Sequence, residues 1–145
     1  MTSFFFLLMM FLGGIAVAIQ PSLNSRLAAR VGLFESSLIS FLVGTIAMLT
    51  IVLLFGRGNL RGVADANWWE LTGGLLGAFF VTLTILIVPR IGTASAMAAT
   101  IAAQLLAGLV LDHFGLFGFH VVPFDTRRAI GMLLLLLGAG LVFRK

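Results

Sequence analysis

The chain has 145 residues, of which 61% are hydrophobic and 10% are charged, and its mean hydropathy is +1.19. Soluble domains use roughly 45 to 50% apolar and about 25% charged residues, so this composition predicts a protein of the lipid bilayer. The net charge of +4 lies on short loops, without a basic run interleaved with aromatic residues, and we expect no nucleic-acid partner. Cysteine is absent, which excludes disulfides, thiolate metal sites and cysteine nucleophiles.

Five apolar segments follow one another without a long linker or a shift in composition. A helix needs about 20 residues to cross a hydrocarbon core ~30 Å thick. The predicted fold is an all-α integral membrane protein, a single domain over residues 1–145, with transmembrane helices at about 3–30, 33–55, 68–88, 93–111 and 129–143. The last helix is short and needs flanking cations to reach both interfaces from its ends, namely Arg127, Arg128, Arg144 and Lys145. The predicted breaks are Gly32, Gly56 to Asn59, Pro89 to Gly92 and Asp112 to Thr126.

The first helix carries two amides near its polar end. Ala16-Val17-Ala18 fits a signal-peptide cleavage site, but no Lys or Arg precedes the apolar run, so we expect the helix to be retained. Gln20 and Asn24 share a helix face, and Pro21 between them frees a backbone carbonyl one turn earlier. Exposed backbone at this depth is tolerated where it lines a cavity, so we predict that both amides line a substrate pathway. The alternative is a plain helix terminus followed by proline.

The second helix has one carboxylate and several hydroxyls. Glu35 lies at its amino-terminal end, where it either complements the helix dipole or acts as a coupling-proton site. Ser40 is predicted to line the pathway, with a bond to its own helix as the alternative. Such a bond to a carbonyl of the same helix is the usual state of hydroxyls in membrane helices. It is the state expected of Ser36, Ser37, Thr45, Thr82, Thr84 and Ser95.

Gln104 is the deepest polar residue, close to the midpoint of the fourth helix, and Thr100 and Gly108 lie one turn away on the same face. Polar residues inside a membrane are by default functional candidates, so Gln104 and Thr100 are predicted to line the pathway. The alternative is a structural hydrogen bond between helices, worth roughly 0.6 kcal/mol. Small residues allow membrane helices to approach closely. The predicted packing positions are Gly73, Gly74, Gly77 and Gly108.

Asp112 and His113 follow the fourth helix and are predicted to be helix-end charges or coupling groups. An Asp-His pair can also belong to a metal or acid-base site. The chain has only two imidazoles, with no third fixed ligand and no nucleophile at an informative spacing. We therefore expect no metal, no cofactor and no enzymatic activity.

The nine cations are divided almost evenly between the two sides of the five predicted helices. The side of the amino terminus holds Arg57, Arg61, Arg127 and Arg128. The other side holds Arg26, Arg30, Arg90, Arg144 and Lys145. The Lys and Arg bias of short loops normally sets orientation, so a count of four against five predicts insertion in both orientations. The alternative is an accidental near-tie that a partner or the amino terminus resolves.

Several short motifs together resemble those of a known family. They are Gln20-Pro21-x-x-Asn24, Ser40-Phe41-Leu42-Val43-Gly44-Thr45, Gly73-Gly74-Leu75-Leu76-Gly77, Arg90-Ile91-Gly92, Gln104 with Asp112-His113-Phe114-Gly115, and Gly131 to Gly138. Over its whole length the chain resembles the YdcZ-like family of five-helix proteins in the drug/metabolite transporter superfamily. The resemblance implies a half-size transporter, related to small multidrug resistance proteins and to ten-helix relatives of the EamA type that look like fused inverted duplicates. It also supports the three amides Gln20, Asn24 and Gln104 as functional positions.

One departure from the small multidrug resistance pattern bears on the substrate. Those proteins use a glutamate in the first helix, and this first helix has none. Proton-coupled export of cationic drugs is therefore not expected. Amides both donate and accept hydrogen bonds, which suits a neutral or zwitterionic solute better than a bare cation.

An odd number of helices places the termini on opposite sides. Two oppositely inserted copies are then related by a two-fold axis in the membrane plane, the symmetry of inverted-repeat transporters. The sequence thus predicts a secondary transporter of the cell (inner or plasma) membrane, an antiparallel homodimer that moves a small polar or amphipathic metabolite by alternating access. The alternative is a structural or regulatory membrane subunit of a larger complex.

Overall fold

The computed structural model describes residues 2–118 and 120–143, and its regular elements in these ranges are all helical. The α-helices are α1 (Thr2–Val31), α2 (Leu33–Phe55), α3 (Gly73–Ile91), α4 (Thr93–Phe114) and α5 (Thr126–Val142). Short 3-10 helices cover Leu60–Asp65, Trp68–Thr72 and Leu116–Gly118. The predicted all-α class is confirmed.

Four membrane spans in the described residues are long and apolar enough to cross a bilayer: Phe4–Val31, Leu33–Phe55, Trp68–Ile91 and Thr93–Phe114. Helix α5 has 17 residues, about 26 Å at ~1.5 Å per residue, which is short of a ~30 Å core. A fifth crossing therefore stays a prediction. The cations expected to anchor the end of α5, Arg144 and Lys145, lie outside the described residues.

Two prolines lie inside helices instead of ending them. Helix α1 continues from Pro21 to Val31, so the alternative of a plain helix terminus at this proline is wrong. Helix α3 likewise runs through Pro89 to Ile91, and the predicted break from Pro89 to Gly92 shrinks to Gly92 alone, with φ +82°. A proline removes one backbone donor, and a membrane helix tolerates this where another group bonds the freed carbonyl.

Caps set the remaining boundaries. Gly32, with φ +105°, separates α1 from α2 as predicted. Helix α4 extends one turn beyond the predicted end because Gly115, in the left-handed conformation, is its C-cap. Helix α5 begins at Thr126, three residues before the predicted start, because the Asp125 carboxylate accepts the Arg128 amide at 2.8 Å.

The helices group into two compact units that divide between Arg90 and Ile91. In the first unit α1 and α2 form an antiparallel hairpin, and α3 is joined to both by hydroxyl bonds. In the second unit α4 packs against α5. A single domain over the whole chain stays a prediction.

Burial is inverted relative to a soluble protein. The buried apolar residues among those described are Pro21, Val81, Ile85, Val88, Ala96 and Met132, and the buried polar ones are Asn24, Ser36, Ser37, Thr84 and Ser95. Most of the long apolar side chains are exposed, as expected where lipid is the surrounding solvent. No buried side-chain nitrogen or oxygen in the described part lacks a hydrogen-bond partner. These buried polar groups therefore lie between helices, where hydrocarbon does not reach them.

Candidate functional site

Asn24 is the centre of a polar seam between α1 and α2. Its side-chain Nδ2 donates to Oγ of Ser40 at 3.1 Å, and Oγ of Ser36 donates to its backbone carbonyl at 2.8 Å. Asn24 is only 8% exposed and Ser36 is fully buried. The hairpin turn at Gly32 produces this pairing, because it brings the last turns of α1 opposite the first turns of α2.

The hydroxyls of α2 and α3 only partly behave as the sequence predicts. Ser37 donates to the carbonyl of Leu33 in its own helix at 3.2 Å, as expected. The expectation is wrong for Ser36, which bonds across to α1, and for Thr82, which donates to Oγ of Ser37 at 2.9 Å. Both side chains face a neighbouring helix, so each hydroxyl bonds to an acceptor on that helix instead of to a carbonyl of its own helix.

Gln20 and Ser40 line an open cavity of about 550 Å³ between α1, α2 and the 3-10 helix that follows α2. Its other lining residues are Phe41, Gly44, Thr45, Met48, Leu49, Val52 and Leu60. Gln20 is exposed to this space, whereas Asn24 lies behind Ser40 and holds its hydroxyl. An apolar wall with a few convergent polar groups is the usual composition of a small-molecule site. Three predicted pathway residues thus lie together, two at the wall and one behind it.

Ser25 joins α1 to α3 at a place that the sequence analysis did not identify. Its Oγ donates to the carbonyl of Ile85 at 3.1 Å. In a regular helix this carbonyl accepts from residue 89, but Pro89 has no N–H to give. Ser25, the residue after Asn24, therefore supplies the missing donor from the neighbouring helix α1. Pro89 in the sequence predicts that the Ile85 carbonyl lacks its helical donor, but the sequence does not show which neighbouring helix supplies another.

The second unit carries the other predicted pathway residues. Gln104 is exposed on α4, and the hydroxyl of Thr100 donates to the carbonyl of Ala96 in the same helix at 2.9 Å. The part of Gln104 and Thr100 in a common pathway stays a prediction.

The packing glycines differ in their surroundings. A Cβ at Gly77 would lie 3.5 Å from the Phe41 ring, so α3 does approach α2 closely at this point. A Cβ at Gly73, Gly74 or Gly108 would meet no atom of its own unit within 4 Å. Packing at these three positions stays a prediction.

Asp112 and His113 tie the end of α4 to the following loop and to α5. The Asp112 carboxylate forms a salt bridge with Nη1 of Arg128 at 3.0 Å, and its carbonyl accepts the Val122 amide at 2.9 Å. The Phe124 amide donates to Nδ1 of His113 at 3.2 Å. These contacts favour a role at the helix end over coupling. No group of three or more His, Asp or Glu gathers within residues 2–118 and 120–143.

Glu35 lies at the start of α2, with its carboxylate folded over Gly32, which is the N-cap. A carboxylate in the first turn complements the positive end of the helix dipole. This position favours the dipole interpretation of Glu35 over the coupling one.

Several apolar helices of membrane length, with polar groups buried between them, define a multi-pass integral membrane protein. The model of the family described as "Putative inner membrane exporter, YdcZ" matches residues 5–141. The inner membrane protein YdcZ of Escherichia coli (strain K12) is 34% identical over 142 residues, which covers 91% of this chain and 90% of that protein. The chain therefore belongs to the YdcZ family of inner membrane proteins, and the predicted membrane location is confirmed. No solved structure matches the chain.

Proposed function

We propose that the protein is a secondary transporter that moves a small neutral or zwitterionic metabolite by alternating access. The observation that carries the proposal is the cavity of about 550 Å³ in the first unit, with Gln20 and Ser40 at its wall and Asn24 behind Ser40. Its walls are otherwise largely apolar, so a solute that enters meets few hydrogen-bonding groups. The family description as an exporter supports the same class of function.

The chemistry of these groups favours an uncharged or zwitterionic solute. The amide of Gln20 can donate and accept, and the Ser40 hydroxyl keeps an outward-facing bonding capacity while Asn24 donates to it. None of the described residues that line the cavity is an Asp, Glu, Lys or Arg. A bare cation would lose its hydration there without gaining a counter-charge, which is costly in an apolar site. This arrangement supports a carrier rather than an enzyme.

We propose further that the working unit is an antiparallel homodimer of oppositely inserted copies. The near-even count of cations supports this, since neither side of the membrane is favoured. That count requires α5 to cross the bilayer. If α5 does not cross, Arg144 and Lys145 join the side of the amino terminus, and the count becomes six against three. The dual orientation and the fifth crossing therefore belong to one proposal.

Solute binding by the purified chain tests the transport proposal. We expect a panel of small neutral, zwitterionic and cationic solutes to contain some that raise the thermal stability of the parent in detergent. Gln20→Leu removes the exposed amide of the cavity and should weaken the binding of such a solute by about tenfold, equivalent to about 1.4 kcal/mol. Gln104→Leu should weaken it as well if α4 contributes to the same pathway.

The matched control is Thr50→Val, which removes a hydroxyl of α2 that bonds to its own helix at Ile46 and does not line the cavity. It should bind as the parent does. Parent-like binding by Gln20→Leu would reject the site. A chain that binds no solute and purifies only with a second protein would instead support the membrane subunit.

A further inference from the structure

Two arginines near the end of α1 stand together, and within the described part of the first unit neither forms a salt bridge. Arg26 and Arg30 are both exposed and lie one turn apart on the same face. Within residues 2–90 no carboxylate forms a salt bridge with either guanidinium. Like charges at this spacing destabilise a helix unless an anion lies between them. The pair is therefore suited to hold an anion.

The surroundings of the pair are apolar on one side. Leu23, Arg26, Leu27 and Arg30 line a shallow groove of about 180 Å³ on α1. Leu23 is 64% exposed, so it offers its side chain to whatever occupies the groove. A free inorganic anion gains nothing from these leucines. A molecule with an anionic head and an apolar tail uses both halves of the groove.

The groove lies at the depth of lipid phosphates. The span Phe4–Val31 has 28 residues and is about 42 Å long, which is close to the ~40–45 Å thickness of a bilayer with both headgroup layers. Its last two turns, which carry Arg26 and Arg30, therefore lie at the level of one headgroup layer. The headgroup layer is roughly 5 to 8 Å thick on each side. Helical side chains tilt toward the amino terminus, here toward the membrane, so both guanidiniums point back into this layer.

We propose that Leu23, Arg26, Leu27 and Arg30 form a binding site for an anionic phospholipid. The two guanidiniums hold the phosphodiester, and the two leucines contact the upper part of an acyl chain. Guanidinium forms bidentate hydrogen bonds with phosphate oxygens, which a single ammonium cannot do. Among the described residues no carboxylate pairs with these arginines and none lines the groove, so the site favours lipids with a net negative charge. This site is independent of the transported solute.

Native mass spectrometry of the full-length chain in mild detergent, titrated with phosphatidylglycerol, tests the site. We expect the parent to retain phosphatidylglycerol in preference to phosphatidylcholine. The variant Arg26→Gln/Arg30→Gln should bind phosphatidylglycerol about 30-fold more weakly, because each cation near an anionic lipid contributes about a fivefold gain in affinity. The matched control Arg57→Gln/Arg61→Gln removes the same charge after α2 and should leave the affinity unchanged.

Circular dichroism of each variant checks that its helix content equals that of the parent. If the double variant does not fold, Arg30→Gln alone should weaken binding about fivefold. Parent-like affinity in the Arg26 and Arg30 variants, or equal retention of phosphatidylcholine by the parent, overturns the site. An equal loss in the Arg57 and Arg61 control also overturns it, since the effect would then be net charge. Competition by inorganic phosphate at equal concentration assigns the arginines to a free anion and rejects the lipid.

Discussion

At the residue scale, hydroxyl and amide groups connect the helices of the first unit. Asn24, Ser36 and Ser40 connect α1 to α2, and Thr82 connects α3 to Ser37. Each bond satisfies a group that would otherwise be orphaned in a low-dielectric interior. The bond from Ser25 to the Ile85 carbonyl differs, because the need for it arises from a proline on the other helix.

This dependence on Pro89 predicts a specific coupling. Ser25→Ala should destabilise the protein by about 1 kcal/mol, since it leaves the Ile85 carbonyl without a donor. In a Pro89→Ala background the new backbone N–H reaches that carbonyl, so Ser25→Ala should cost much less. A double-mutant cycle measured by denaturation in mixed micelles gives the coupling energy. Equal costs in the two backgrounds would show that the serine is not a substitute for the missing amide.

At the scale of elements, the connection between α1 and α2 is a single residue. Gly32 has φ +105°, and a Cβ there would collide with the Glu35 carboxylate. The backbone conformation requires glycine, whereas the flexible Glu35 side chain could move away from an added Cβ. The hairpin, and with it the pairing of Asn24 with Ser40, therefore depends on this one position.

Gly32→Ala should destabilise the protein by about 1 to 2 kcal/mol, because a non-glycine residue is strained at this φ. Removing the carboxylate as well, with Glu35→Ala, should relieve the collision but not the strain. Gly13→Ala is the control, since a Cβ at that helical position meets nothing within 4 Å. It should be neutral or slightly stabilising. Equal melting temperatures for Gly32→Ala and Gly13→Ala would contradict this role of Gly32.

The sequence predicts elements well where the signal is local. Glycines at 32 and 56 end α1 and α2 where expected, since a positive φ or a cap is a property of one residue. The predicted break at Pro89 is wrong, because α3 continues through this proline and Ser25 of α1 donates to the freed carbonyl of Ile85. Within the candidate site, Gln20 and Asn24 are recognisable as polar residues in an apolar helix. The pairing of Asn24 with Ser40 depends on helix register, which a nearly uniform apolar pattern does not encode.

For the whole molecule, orientation in the membrane depends on few charges. With five crossings the count is four cations against five, so a single added charge is a large fraction of the bias. With four crossings the count of six against three would favour one orientation strongly. The number of crossings and the orientation can therefore be tested together.

Gly58→Lys adds a cation on the side of the amino terminus and should raise the fraction of molecules with that side in the cytoplasm. A reporter fused after Lys145, active on one side of the membrane only, measures this fraction. The uncharged substitution Gly58→Gln should leave it unchanged. A parent whose reporter is found on one side only, and that Gly58→Lys does not shift, would contradict insertion in both orientations.

The interhelical bonds of Asn24, Ser36 and Thr82 also bear on how the helices of the first unit move against one another. A serine or threonine that lets go of a neighbouring helix can rotate onto a carbonyl one turn back in its own helix, as Ser37 already does with Leu33. When the helices separate, each of these hydroxyl donors can therefore still find an acceptor in its own helix. Separating ion pairs in a low-dielectric interior would leave uncompensated charges, whereas separating these hydroxyl hydrogen bonds does not.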